Sequence, residues 1–465
     1  MISDELLDRM RQAMGFEPTA GQAAAMNTFC HFITDDDRRT AMIMRGAAGT
    51  GKSSVAGAIV RAMQSLRRKV VLMAPTGRAA KIFALNAGSP ALTIHRAIYR
   101  QKTFTGDMSG FKLGFNGLHD ALFIVDEASM IADRPMPDAA FGSGSLLDDL
   151  VSYVYSGEGC RLMLIGDKAQ LPPVGEEKSP ALTSSTVEGY GLTVYECETD
   201  EVLRQAYGSG ILSNATMIRR MLDDAAPLSM PRIRLKGFAD IQAVAGEDLI
   251  EQLSDSYSRA GMDETIVITR SNKRAGIYNA GIRARVLDRE DILSRGDMLM
   301  IVKNNYRWFE PFIANGDRAE VRRVRNVREL YGLHFADAEL SLPDYDGAEV
   351  KATIVLDVLS TDAPALTREQ QDRLFGGVLA DYDDLPRKQE RMKAVKEDKH
   401  YNALQVKYAY AVTCHKAQGG QWAHVYIDQG YVSAEMLTPS YIRWLYTAFT
   451  RATEKLFLIN YKTQD

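Results

Sequence analysis

The sequence has little cysteine, no long apolar run and no marked excess of either charge. Only four cysteines occur among 465 residues, Cys30, Cys160, Cys197 and Cys414, with neither a CxxC pair nor a Cys/His ligand spacing. That excludes a disulfide framework and a structural zinc. No stretch approaches the ~20 continuous apolar residues of a membrane span, so no membrane partner is expected. The formal net charge is −4, and a polyanionic partner would therefore have to be met by a local groove rather than by overall attraction. Low-complexity segments and repeats at a solenoid period are also missing, which excludes a repeat array. The opening MISDELLDRM is polar and acidic and has no signal-like apolar segment, so the expected location is cytoplasmic.

What is present is an ordinary globular composition, 46% hydrophobic and 25% charged, in a chain long enough for roughly two to four domains. Short apolar runs at 40–45, 70–74, 122–125 and 161–165 alternate with helix-like segments, the pattern of buried parallel strands in an α/β sheet. Between Ile98 and Phe115, two aromatic-rich runs flank Gly106 and Gly110 and predict a β-hairpin standing out of that sheet. A further apolar strand at 265–269 opens a second α/β domain. From Gly296 to about Leu359, alternating runs separated by Asn-Gly and Asp-Gly turns predict a small antiparallel barrel. Residues 367–402 are charged and poor in apolar residues, as in exposed helix or linker. The expected division is 1–194 for the first domain, 195–296 plus 403–465 for the second, and 297–402 for the insertion.

The most specific local signal is Arg45-Gly46-Ala47-Ala48-Gly49-Thr50-Gly51-Lys52-Ser53, which fits GxxxxGK[ST] between a strand and a helix. Glycines at these positions let backbone N–H groups from Gly46 to Ser53 wrap phosphate oxygens, Lys52 reaches the outer phosphates, and the Ser53 hydroxyl ligates Mg²⁺. About 70 residues later the apolar strand 122–125 ends in Asp126-Glu127. The first carboxylate is assigned to magnesium and the second to the attacking water. After the strand at 161–165, Asp167 is placed to support the metal site and Gln170 to sense the γ-phosphate. Gln22, in the Thr19-Ala-Gly-Gln22 segment upstream, is expected to read the adenine edge. The implied cofactors are ATP and Mg²⁺.

Taken in order, these segments resemble superfamily 1 helicases, specifically the 5′-to-3′ branch with the RecD-like and Dda-like enzymes. The resemblance rests on Gln22, Gly46–Ser53, Ala74–Lys81, Thr93–His95, Asp126–Ser129, Gly166–Val174, Leu203–Gln205, Thr413–Gly419 and Tyr446–Ala452, and so spans residues 19–452. It implies two RecA-like P-loop domains, with the β-hairpin inserted in the first and an SH3-like β-barrel inserted in the second. Arg204 and Arg451 become the arginine fingers supplied by the second domain. Gly419, beside Gln418, lies at the nucleotide cleft and couples it to strand grip. Ala417 and Gln421 depart from the Ser and the acidic residue common in the family, which puts the details of that coupling in question.

The same resemblance makes Pro75, Thr76, Thr93, His95, Thr413, His415 and Lys416 contacts to the nucleic-acid backbone, since hydroxyl, imidazole and ammonium donors hold phosphate without reading bases. Phe104, with Phe111 and Phe115, is expected to form an apolar wedge on the hairpin that stacks at a duplex fork. Trp308 and Phe309 are open to either base stacking or barrel core, and the arginines from Arg318 to Arg328 to either strand contact or an outward face balanced by Glu320 and Glu329. The expected activity is DNA-stimulated ATP hydrolysis driving 5′-to-3′ movement on single-stranded DNA and opening of forked duplex. The chain is expected to be a nucleoid-associated monomer with replication or repair partners. A motor subunit of a larger recombination or repair complex is the alternative, and a P-loop kinase would lack any use for the 413–419 and 446–452 segments.

Overall fold

The computed structural model describes residues 2–101, 111–135, 142–201, 208–223, 228–310 and 312–461. Its first sheet has six parallel strands in the spatial order Ala91–Thr93, Val70–Ala74, Leu122–Val125, Arg161–Gly166, Thr40–Gly46 and Thr193–Thr199. Successive side chains of a strand point to opposite faces, and here both faces are covered. Met42 and Met44 pack with Phe29, Val55 and Ile59 from the helices Ala20–Thr34 and Lys52–Ser65. Ala41 and Ile43 pack on the other face with Leu147, Leu150 and Val154 of the helix Leu146–Ser156. Continuous apolar strands are what a parallel sheet buried on both faces requires.

The second sheet is also wholly parallel, in the order Ala411–Thr413, Thr265–Thr269, Trp422–Ile427, Ala452–Ile459 and Ile241–Val244. Helices Gly210–Asp223 and Pro439–Phe449 cover one face, and Leu249–Arg259 and Asn272–Arg285 the other. A barrel closes from Met298–Ile301, Arg318–Leu330, Leu333–Leu342, Ala348–Val355 and Leu404–Tyr408 around Leu299, Val321, Leu340, Ile354 and Val406; it is not wholly antiparallel as expected, because Ala348–Val355 and Leu404–Tyr408 pair in parallel. The α/β architecture of two RecA-like sheets with a barrel insertion is therefore present.

Several details differ from the sequence reading. Strand Thr193–Thr199 closes the edge of the first sheet, so that sheet runs past residue 194. The barrel takes its fifth strand from 404–408, beyond the expected end at 402. The charged 367–402 stretch forms two helices, Arg368–Ala380 and Lys388–Glu397, pinned to the barrel through Leu374, Val378 and Val395. Trp308 and Phe309 pack against the barrel core, where the Trp308 Nε1–H donates to the Asn402 carbonyl at 2.8 Å. Three of the barrel arginines are paired locally: Arg318 with Asp344, Arg322 with Glu320 and Arg328 with Asp337. Among the described residues, no helix is long and apolar enough to cross a membrane.

The joint between barrel and second sheet is ionic. Asp297, fully buried, accepts hydrogen bonds from Arg283 Nε and Nη2 at 3.0 Å each, from Arg289 Nη1 at 2.7 Å and from the Tyr410 hydroxyl at 2.8 Å. Removing one partner from such a cluster strands the others without water. Asp297→Ala should therefore lower unfolding stability by about 3–5 kcal/mol. A urea-unfolding loss under ~1 kcal/mol would show that the two arginines find other partners.

Candidate functional site

Parallel strands deliver their following loops to one edge of a sheet, and at the first sheet those loops form the candidate nucleotide site. Gly51 precedes the helix Lys52–Ser65 with φ +80°, a left-handed conformation that a side chain would strain. The Lys52 ammonium sits at 2.8 Å from the carbonyls of Gly46 and Ala47, at the mouth of the loop. A cleft of about 260 Å³ is lined by Ala48, Gly49, Gly51, Lys52 and Ser53, by Asp126 and Glu127, by Asp167 and Gln170, and from the second sheet's side by Gly419, Thr450 and Arg451. Residues predicted from five separate segments thus meet in one place.

Asp126 accepts the Glu127 backbone N–H at 2.8 Å, and Glu127 itself turns at φ +53°. Burial and the adjoining Glu127 carboxylate push the Asp126 carboxyl up, against the opposing pull of Lys52 and Arg451. A divalent cation would relieve that repulsion. The donor set, one serine hydroxyl and one carboxylate, suits a hard oxygen-ligated ion whose shell is completed by phosphate and water. Among the described residues no cluster of three or more His, Cys, Asp or Glu offers an all-protein metal cage. The Gln170 Oε1 is buried beside the cleft and finds no hydrogen-bond partner among the described residues, an acceptor available to a polar ligand atom.

Arg451 is 1% exposed. Its guanidinium donates to the carbonyls of Thr447 and Gly420 at 3.1 Å each and reaches to within 3.7 Å of Glu127 Oε1. The second sheet therefore presents a fixed cation to the first sheet's acidic pair. Gly419 turns at φ +72°, and a β-carbon there would stand 2.9 Å from Thr76 Oγ1, so this junction admits only glycine without rearrangement. Arg204 and Phe104 lie outside the described residues, as does the hairpin tip.

Three expectations are corrected. Gln22 is fully buried. Its Oε1 accepts the Thr19 N–H at 3.1 Å and its Nε2 donates to the Thr50 carbonyl at 3.0 Å, so in this structure it braces the phosphate loop and presents no free amide to an adenine. The Thr-x-x-Gln spacing was the sequence signal for this capping box. Thr93 is 3% exposed and its hydroxyl accepts the Arg96 N–H at 3.3 Å, which leaves it facing inward rather than toward a strand. Phe111 is likewise not a wedge: it is 5% exposed and packs 4.8 Å from Tyr306 and 5.7 Å from Phe312, whereas Phe115 is 88% exposed. The paired strands Tyr99–Gln101 and Phe111–Leu113 do form an antiparallel base for the hairpin.

The strand-contact candidates divide. Thr413 and Lys416 line a groove of about 1070 Å³ between the helix Asn272–Arg285 and the barrel, together with Lys273, Arg289, Lys407 and Tyr408. Burial lowers Lys416 to about 8, with Lys407 adding repulsion, and burial also lowers Lys407 to about 8. His415 is exposed next to them. Pro75, Thr76 and His95 are not in that groove. Thr76 caps the helix Gly77–Ala87 by accepting the Ala79 N–H at 3.2 Å. His95 packs against Tyr99 and Phe312, and burial lowers it to about 4, so it is neutral at physiological pH. A contact missed in the sequence is Arg78, which crosses to the second sheet to bond Gln421 and Glu264 and stands 4.5 Å from the Trp422 ring centroid.

Comparison with known proteins agrees with this architecture. Residues 17–219 match the AAA domain family and residues 408–459 match the UvrD-like helicase C-terminal domain family. The chain thus carries a segment similar to a phosphate-loop domain and, after it, one similar to a helicase C-terminal domain. It is 36% identical over 137 residues, 29% of its own length, to an ATP-dependent RecD2 DNA helicase of Deinococcus radiodurans. It is 24% identical over 470 residues, covering 90% of the chain, to an uncharacterized protein of Methanocaldococcus jannaschii. The chain spans 16% and 36% of these two relatives' lengths. A crystal structure of Pif1 helicase from Bacteroides, in complex with ADP-AlF3 and ssDNA, aligns over 96% of this chain and 93% of its own, with 15% identity and a TM-score of 0.48.

The position of Arg451 generates a kinetic expectation. Arg451→Ala should lower ATP turnover at least ~10³-fold while leaving nucleotide affinity within about tenfold, because a cation placed for transition-state charge acts mainly on the chemical step. Equal losses in affinity and turnover would mark the residue as structural.

Proposed function

We propose that the chain is an ATP-driven DNA helicase that moves 5′ to 3′ along single-stranded DNA and opens duplex ahead of it. The observation that carries this reading is the cleft itself, closed from one side by the phosphate loop and the Asp126-Glu127 pair and from the other by Arg451. Lys52 and the loop N–H groups hold the phosphates, Gln170 and Glu127 orient the attacking water, and Glu127 takes its proton as the oxygen bonds to the γ-phosphorus and the bond from that phosphorus to the β–γ bridging oxygen breaks, ADP leaving with the electron pair. Arg451, with Arg204 as a second finger, offsets the charge that gathers on the leaving phosphate. Ser53 and Asp126 would hold Mg²⁺, which would supply positive charge against the phosphates.

A site shared between two sheets converts nucleotide state into sheet separation. Gly419 fits that coupling, since it stands in the cleft while Thr413 and Lys416, a few residues earlier, stand in the long groove. Two lysines forced together by burial favour an anionic occupant, and the apolar floor at Ile277, Ile292 and Tyr408 suits bases or sugars of a single strand. Polarity comes from the branch of the family that the motifs resemble.

Lys52→Ala should abolish DNA-stimulated ATP hydrolysis and leave binding to single-stranded DNA within about threefold of the parent, since the lysine holds phosphate of the nucleotide only. Turnover near the parent rate in that variant would remove the catalytic assignment. On partial duplexes, only the substrate with a 5′ single-stranded tail should be unwound. Efficient opening from a 3′ tail alone would assign the chain the opposite polarity while the hydrolytic reading stood.

A further inference from the structure

We propose that Tyr446 is a positioning residue for nucleotide hydrolysis, a hydroxyl from the second sheet that holds the phosphate-binding loop and the Asp167–Leu171 loop in one register. The proposal rests on the ATPase reading above and assigns a role to a side chain that does not itself line the cleft.

A phenolic hydroxyl has one proton to donate and lone pairs to accept with, and at Tyr446 both uses are spent across the interface between the sheets. The hydroxyl donates to Asp167 Oδ2 and accepts the backbone N–H of Ala48 at 3.1 Å. Tyr446 and Asp167 are each 1% exposed, so water does not compete for either bond. Burial and the Asp167 carboxylate keep the phenol protonated well beyond its usual range. Asp167 in turn shapes the loop that carries Gln170: its Oδ1 accepts the Ala169 N–H at 3.0 Å and its carbonyl accepts the Gln170 N–H at 3.2 Å.

The rest of that loop is also held from the second sheet's side. Thr447 Oγ1 accepts the Leu171 N–H at 2.9 Å, Gln418 Nε2 donates to the Leu171 carbonyl at 2.6 Å, and Arg443 donates to the Lys168 carbonyl. Of these contacts only Tyr446 also touches the phosphate loop. It therefore ties together the two first-sheet loops that face the phosphates, and does so only while the helix Pro439–Phe449 is seated. Without the hydroxyl the helix still packs, because the ring is part of the apolar cluster formed by Leu445, Ala448 and Phe449. Gln170 and Ala48 would then lose their common reference.

Tyr446→Phe removes the hydroxyl and leaves the ring. In this 465-residue chain with single-stranded DNA and magnesium, kcat for ATP should fall at least about tenfold, with KM and the Kd of a non-hydrolysable ATP analogue within about threefold. The thermal unfolding midpoint should stay within about 3 °C, since the buried ring is retained. Asp167→Asn should show the same kcat-confined loss, and the double variant should be no slower than the worse single one, because both remove one connection. The proposal is overturned if Tyr446→Phe turns over within about twofold of the parent, if its loss falls on KM or unfolding instead of kcat, or if the two single losses multiply. A parent chain that fails to hydrolyse ATP at all sinks the ATPase reading first, and that control is read before any variant.

Discussion

Parallel strand direction is the constraint on which the rest of this structure depends. A sheet whose strands all run the same way collects the loops that follow them along one edge. In the first sheet that edge gathers the phosphate loop, Thr76, Asp126-Glu127 and Asp167–Gln170. In the second sheet the same rule gathers Thr413, reached from Ala411–Thr413, beside Arg270 and Ser271. Arg451 reaches the shared cleft by another route, from the turn between the helix Pro439–Phe449 and the strand Ala452–Ile459. The candidate catalytic groups are therefore close because of topology, although Lys52 and Arg451 stand far apart in the sequence.

The barrel makes the two sheets one body rather than hanging from the second. Its Asp297 joint is rigid, with five donors converging on one buried carboxylate, the Ser294 N–H among them. Its far side grips the first sheet: Arg96 lies 3.9 Å from the Tyr345 ring centroid and donates to the Phe312 carbonyl at 3.1 Å, while Lys81 donates to the Pro343 carbonyl at 2.7 Å. These contacts fall on the segments around Thr76 and His95, which the family resemblance assigns to the nucleic-acid strand. Cation–π and carbonyl contacts of this kind are individually modest, so a closure built from several of them is reversible in a way that the Asp297 joint is not.

The sequence disclosed what depends on local pattern. The strands 70–74, 122–125 and 265–269 are found at the predicted residues because continuous β-branched runs flanked by turns leave few alternatives. The phosphate loop and the acidic pair were legible from their local pattern after an apolar strand, whereas Arg451 was named only through the family resemblance. Contacts that depend on three-dimensional partners were not. Gln22 reads as a solvated or ligand-facing amide until its Thr19 cap is noticed, and Phe111 reads as a tip aromatic until Tyr306 and Phe312, two hundred residues away, close over it. Tyr446 carried no signal of its own, since nothing local says that its hydroxyl meets Asp167.

Charge shows how the same residues read differently once folded. The run of barrel arginines looks like a basic patch in sequence, yet Arg318, Arg322 and Arg328 each find a carboxylate within 3.2 Å. A cation already paired offers little to a phosphate, because the new contact must replace the old one. Lys407 and Lys416 are a different case: burial lowers both ammonium groups, in a groove that Glu290, Asp357 and Asp362 also line. Groups of both signs thus share that groove. A chain of net charge −4 would have to meet a polyanion through such a local groove, since its overall charge does not attract one.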